Sequence, residues 1–391
     1  MAASSSGAPL PAVVVPPPGG RWRWIPIVVV GLAMLEVASR VEDRVSYGMP
    51  ILTRIETSND LVLRDTVGAR GRPNAIFRRW KLDSLGFRGP DIPVTPAPGV
   101  VRIVTAGASE TFGLYEAANK EYPRQLEDSL RSRVAASCPG SDAPKVEVVN
   151  AALPGMALPS LAHHLTRVIA RIQPSVVVIY ASPGFYLNDR APALARNVRS
   201  DTALRPRKAY SLRFVDRVST QLKALAPAPL LTWSRQRVTR FTLRKYPDDW
   251  RFKDVPADRV QQYEDDLRAT VGAVRAIGAQ PLLATYVNAT MAPGFNDPDL
   301  LVAWEYQFPR APQQVIPAFH AEATRRTAQV AADSAVALVD LERAFEGHWD
   351  GAFADFVHFT NAGSATVASA LTSALVTPGT DSGCAIRPAS R

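Results

Sequence analysis

Cysteine is almost absent: Cys138 and Cys384 are the whole supply in 391 residues. Two thiols so far apart spell out neither a metal cluster nor a redox pair, and they leave room for one disulfide at most. Histidine is scarce too, with five residues, and no His/Cys/Asp grouping has the spacing of a metal site. Neither a metal nor another cofactor is therefore expected. There is one apolar run near the N-terminus and no second one, so a chain crossing a membrane there has no route back. General disorder is excluded, because 47% of the residues are hydrophobic. The length allows a full α/β core with an accessory region.

The formal charge is +9, and its excess concentrates between Arg190 and Arg259, leaving the remainder near neutral. A local basic surface implies an anionic neighbour: glycan, lipid head groups or nucleic acid. Residues 1–22 are small, polar and proline-rich, which predicts a disordered tail. Arg21-Trp22-Arg23-Trp24 then precede the apolar run Ile25–Leu35. Cationic and aromatic residues ahead of such a run suit a signal anchor over 23–40 with its N-terminus in the cytosol. The run is short for a span of roughly 20 residues, and Glu36 interrupts it. A buried or interfacial helix or a cleaved signal peptide is the competing reading. Residues 41–98 form a preamble containing Gly86-Phe87-Arg88-Gly89.

From 99 to 376 the pattern alternates strand and helix, with a basic insertion at about 190–258 and a tail at 377–391. Repeated βα units predict a three-layer α/β sandwich of flavodoxin-like type: a central parallel sheet, helices on both faces, and a site at the strand C-terminal ends. The strand Val101–Ala106 runs into Gly107-Ala108-Ser109 and then a helix, a device for exposing one hydroxyl beside free backbone N–H groups. Far downstream, Asp355-Phe356-Val357-His358 supplies a base with a carboxylate beside it. Ser109, Gly155, Asn188 and His358 all fall at strand C-terminal ends. His163 and His164 are expected at the surface or in caps, and His320 at a helix start. An α/β-hydrolase elbow does not fit, because Thr111 stands where that motif has Gly and the acid lies three residues before the histidine.

On these residues the sequence resembles the SGNH (GDSL-type) hydrolases, and among them the membrane-anchored bacterial members. Gly107-Ala108-Ser109 is similar to the first block, with Ala108 where Asp is usual. Asn150–Gly155 is similar to the second, and Asp355-x-x-His358 with Thr360-Asn361-Ala362-Gly363 to the last. The resemblance implies the SGNH hydrolase fold, Ser109, Asp355 and His358 as catalytic residues, and an oxyanion hole from Ser109, Gly155 and Asn188. The third block departs: Ser182-Pro183-Gly184-Phe185 stand where Gly-x-Asn-Asp is usual, and Asn188-Asp189 come later. Either Asn188 still reaches the oxyanion, or that donor is lost or replaced, with Ser182 as an alternative.

The expected function is an extracytoplasmic serine esterase, membrane-anchored through the N-terminal helix. Its substrate would be an acylated glycan, a lipid-linked glycan or another ester, with acetyl the favoured group. An O-acyltransferase using the same triad and a catalytically inactive glycan-binding module are the alternatives. Nucleic acid is not expected as a partner, because the anchor puts the domain outside the cytosol. In a strand order of 2-1-3-4-5 the first and last helices share a sheet face, which makes Cys138 and Cys384 candidates for a disulfide. Two unrelated thiols in loop and tail are the other reading.

Overall fold

A computed structural model describes residues 24–53, 55, 57–65, 68–137, 143–188, 212–377 and 385–386. The proline-rich tail, Asp189, and both Cys138 and Cys384 with their expected disulfide lie outside the described residues.

The first described element is α1 (Trp24–Tyr47), among the described residues the one helix long and apolar enough to cross a membrane by length and composition. It runs seven residues beyond the expected anchor boundary at 40. Two short antiparallel hairpins follow, Val62–Asp65 with Gly68–Gly71 and Ile76–Phe77 with Trp80–Lys81. They enclose a small core of Met49, Leu61, Phe77 and Leu82, which packs against Phe112.

The main sheet is built from β-branched and aliphatic runs: β1 (Val100–Gly107), β2 (Lys145–Asn150), β3 (Val176–Tyr180), β4 (Gln280–Ala284) and β5 (Ala337–Val339). All four pairings are parallel and the order is 2-1-3-4-5. Ile103 sits in register with Val148 on one side and Val176 on the other, so β1 is an interior strand. Near-continuous apolar strands of this kind are those buried on both faces, and β3 is buried at every residue.

The helices are α2 (Ser109–Phe112), α3 (Tyr122–Ser137), α4 (Leu158–Arg167), α5 (Arg213–Leu225), α6 (Ala228–Leu243), α7 (Ala257–Ala276), α8 (Pro298–Gln307), α9 (Val315–Asp333), α10 (Leu341–Ala344) and α11 (Asn361–Leu375). First and last helices do share a face, with α3 packed on α11, while α4, α7 and α9 cover the other. The result is a three-layer α/β sandwich. Within the basic insertion, α5 contacts α1 and α6 packs on α8.

Arg102 fixes the strand that carries the site. Fully buried in β1, it pairs with Glu147 of β2 at 2.5 Å and donates to the carbonyls of Pro93, Val94 and Ile172 at 2.6–2.9 Å. A charge so deeply placed is tolerable only with its hydrogen-bonding capacity filled. Here that requirement ties the proline-rich connector to the N-terminal side of the sheet.

Candidate active site

Gly107 ends β1 under tight constraint. A Cβ at this position would lie 2.2 Å from Thr111 Oγ1 and 2.7 Å from the Tyr180 carbonyl oxygen. Only glycine therefore lets the chain turn between β3 and the start of α2. Ser109 opens that helix, and Gly113 closes it in the left-handed conformation at φ 82°.

The turn is held from outside. Asn150, at the end of β2, donates its side-chain amide to the Thr111 carbonyl at 3.0 Å. Arg88 of the preamble is buried, donates to the carbonyls of Phe112 and Gly113, and pairs with Glu121 at 3.1 Å. Its own N–H donates to the Asn150 carbonyl at 3.0 Å. The preamble thus buttresses the serine turn.

The opposite half of the site comes from the loop before α11. Asp355 Oδ1 accepts from the N–H groups of Val357 and His358, both at 2.9 Å, so the carboxylate sets its own loop. Ala354 N–H donates to the His358 carbonyl at 2.8 Å, and Thr360 caps α11 through Gly363 N–H at 3.3 Å. Phe345, Trp349, Phe353 and Phe359 stack beneath the loop.

These two halves meet. His358 Nε2 lies 2.9 Å from Ser109 Oγ, and His358 Nδ1 lies 2.8 Å from Asp355 Oδ2. Hydroxyl, imidazole and carboxylate are joined in one hydrogen-bonded row, with Ser109 and His358 249 residues apart in the chain. Burial alone pulls the His358 imidazolium down. The Asp355 hydrogen bond and the charges of Glu110, Asp355 and Glu116 outweigh it and hold the group above its ordinary 6.5. Burial pushes the Asp355 carboxyl up, but His358 and the two backbone N–H groups leave it below the ordinary 3.8.

Three further residues join this array, and none was singled out from sequence. Glu110 is buried, with Oε2 3.2 Å from Ser109 Oγ and Oε1 accepting from the Tyr286 hydroxyl at 3.0 Å. The Tyr286 hydroxyl also hydrogen-bonds Ser182 at the end of β3, and burial together with Glu110 raises it well above the ordinary value. Tyr115 places its ring 5.1 Å from that of His358 and hydrogen-bonds Asp355. Glu110 was legible only as the residue after the serine; Tyr115 and Tyr286 carried no motif.

Glu110 offers the Ser109 hydroxyl a second acceptor and favours the charged imidazole. Because a histidine base must be neutral to act, the rising limb of a pH–rate profile follows the His358 pKa. Glu110→Gln is expected to move that limb to lower pH, measured as kcat/KM against pH. A limb unmoved or moved upward would contradict the electrostatic role.

Gly155 is exposed just beyond β2 at φ 77°, in a conformation L side chains rarely adopt. Asn188 ends the 3-10 turn Pro183–Leu187 after β3, its N–H donating to the Phe185 carbonyl at 3.1 Å. The segment expected to carry the third block is thus a compact turn.

Two histidine expectations are corrected. His164 is buried within α4 against Phe87 and held down to about 4 by burial. His320 lies inside α9 rather than at its start, buried between Trp304 and Tyr286, and burial lowers it to about 3. Among the described residues, no three His, Cys, Asp or Glu side chains group to hold a metal ion.

No protein-family model matches the chain, and no curated protein does. Solved structures similar to it include an α/β hydrolase enzyme from the metagenome of Lake Arreo, Spain: 14% identical, 70% of this chain and 94% of that one covered, TM-score 0.40. The acetyl xylan esterase AlAXEase is similar at 12% identity, with 70% and 100% covered and a TM-score of 0.41. A lipase/acylhydrolase from Enterococcus faecalis is 16% identical, with 70% and 94% covered and a TM-score of 0.39.

Proposed function

We propose that this protein is a serine ester hydrolase of SGNH type, held in a membrane by α1 with its α/β domain outside the cytosol. It removes acyl groups, acetyl foremost, from a glycan or lipid-linked glycan. The observation that carries the reading is the Ser109–His358–Asp355 array at the C-terminal ends of a parallel sheet.

In this mechanism Ser109 Oγ attacks the acyl carbonyl while His358 Nε2 takes its proton. Asp355 holds the ring in the tautomer that leaves Nε2 free, and stabilises the imidazolium. The tetrahedral intermediate collapses as its bond to the leaving alkoxide breaks and His358 returns the proton to that oxygen. Acyl-Ser109 is then opened by water, or by a sugar hydroxyl in the transferase variant, with His358 again the base. The oxyanion rests on the N–H groups of Ser109 and Gly155, with the Asn188 amide as third donor. Loss of one such donor costs about 2.7–4 kcal/mol, so a site lacking the Asn188 contribution would be slow rather than dead.

Arg21 and Arg23 ahead of α1 support the orientation, since positive charge stays on the cytosolic side. The proposal is tested with the full chain in mild detergent, on p-nitrophenyl acetate and an acetylated oligosaccharide, with and without unacetylated acceptor. Turnover of both esters without acceptor is expected. Turnover that requires acceptor would move the reading to the acyltransferase. Failure on both, with the fold intact by circular dichroism, would leave the glycan-binding module.

A further inference from the structure

α5 is built inside out. Arg213, Asp216 and Arg217 face the protein: Arg213 is buried and pairs with Asp43 of α1 at 2.6 Å, Arg217 pairs with Asp43 at 2.5 Å and with Glu42, and Asp216 meets Arg78 at 2.6 Å. Val215, Val218, Leu222 and Leu225 form one outward apolar stripe at helical spacing, exposed by 50, 48, 63 and 80%. A helix that spends its charges on partners and leaves its apolar face bare has its ordinary amphipathic order reversed.

The position of α5 along α1 says what covers that stripe. The apolar part of α1, from Trp24 to Leu35, spans only about 18 Å at ~1.5 Å per residue, against about 30 Å of hydrocarbon core. For α1 to cross, the bilayer surface must lie at or beyond Glu36. Glu36 is where α5 begins, its carboxylate accepting from Phe214 N–H at 3.2 Å. The ion pairs to Asp43 therefore hold α5 at the level of the membrane face.

α6, the next helix in the chain, has the composition of an interface. Trp233 and Phe241 are exposed, with Arg237 stacked 5.5 Å over the former ring and Lys245 5.0 Å over the latter. Aromatic rings with cations above them match the boundary between acyl chains and anionic head groups.

We propose that α5 and α6 form a membrane-docking hairpin that lies in the outer face of the same bilayer α1 crosses, α5 inserting its apolar stripe and α6 binding anionic head groups. The hairpin holds the α/β domain down on the lipid surface, instead of leaving it on a free tether. This inference rests on the reading of α1 as an anchor.

The test uses the full chain carrying Cys138→Ser, Cys384→Ser and Leu222→Cys, labelled with an environment-sensitive fluorophore and reconstituted in phosphatidylcholine vesicles containing phosphatidylglycerol. A matched variant labelled at Ser373→Cys, on the exposed face of α11, is the aqueous control. Lipid-borne nitroxide is expected to quench the Leu222 label at least several-fold more than the Ser373 label, in vesicles that retain the chain through an alkaline carbonate wash. Equal quenching at both sites with the chain retained overturns the hairpin and leaves the anchor standing. Strong quenching at Leu222 with the chain released by carbonate removes the anchor and, because the anchor sets the level of α5, overturns the proposal with it. A Leu222 label already shielded without vesicles, in a concentration-dependent way, assigns the stripe to a second copy and overturns the lipid proposal.

Discussion

Ser109→Ala is expected to lower kcat/KM for ester hydrolysis by about 10⁴-fold or more, a loss of at least ~5.5 kcal/mol of transition-state stabilisation. The hydroxyl oxygen forms and breaks the acyl bond in the proposed reaction, and it is the group that lies at His358 Nε2. Its contacts in the resting protein are His358 Nε2 and Glu110 Oε2, and it begins a helix whose cap is already alanine. The fold should therefore persist, with urea stability within about 0.5 kcal/mol of the parent. His358→Ala should be as severe, and the double variant little worse than either, because the residues act as a unit. A variant retaining a tenth of the parent rate would remove Ser109 from the chemistry.

Asp355→Asn is expected to reduce kcat by about 10⁴-fold while leaving the loop in place. An asparagine oxygen can still accept from the N–H groups of Val357 and His358. Its amide nitrogen, however, then faces Nδ1 and can only donate to it, which forces the tautomer with the proton on Nε2. Asp355 also helps to raise the His358 pKa, so the residual activity should have its rising limb at lower pH than the parent. Stopped-flow turnover across pH 5–9 reads both effects. A loss under tenfold with an unshifted limb would argue that the pair is structural.

Much of this was legible in the chain, for identifiable reasons. Val101–Ala106 and Val176–Tyr180 are so rich in β-branched residues that their strands needed no tertiary information, and the alternation with helices gave the layers. Asp355 and His358 stand three apart in one loop, a local relation that sequence spacing can express. The Glu110–Tyr286–Ser182 network is not local: its members arrive on three different strand ends, and only the sheet order brings them together.

Burial was the least legible property. His164 and His320 sit among residues of mixed polarity, and their enclosure depends on Phe87, Trp304 and Tyr286 from other elements. The far half of α1 depends on the same kind of non-local information. In the sequence Glu36 interrupts the apolar run, and Glu42 and Asp43 fall in the preamble that starts at 41. In the fold, Glu36 pairs with Arg40, and Glu42 and Asp43 pair with arginines of α5, so the helix continues to Tyr47.

The central claim is that one serine is made nucleophilic by His358, and it is tested most directly by fluorophosphonate labelling followed by peptide mapping. One adduct per chain is expected, on the peptide containing Ser109, formed by the parent and lost in both Ser109→Ala and His358→Ala. Labelling at another residue, or ester turnover by a parent protein that takes up no adduct, would contradict the account.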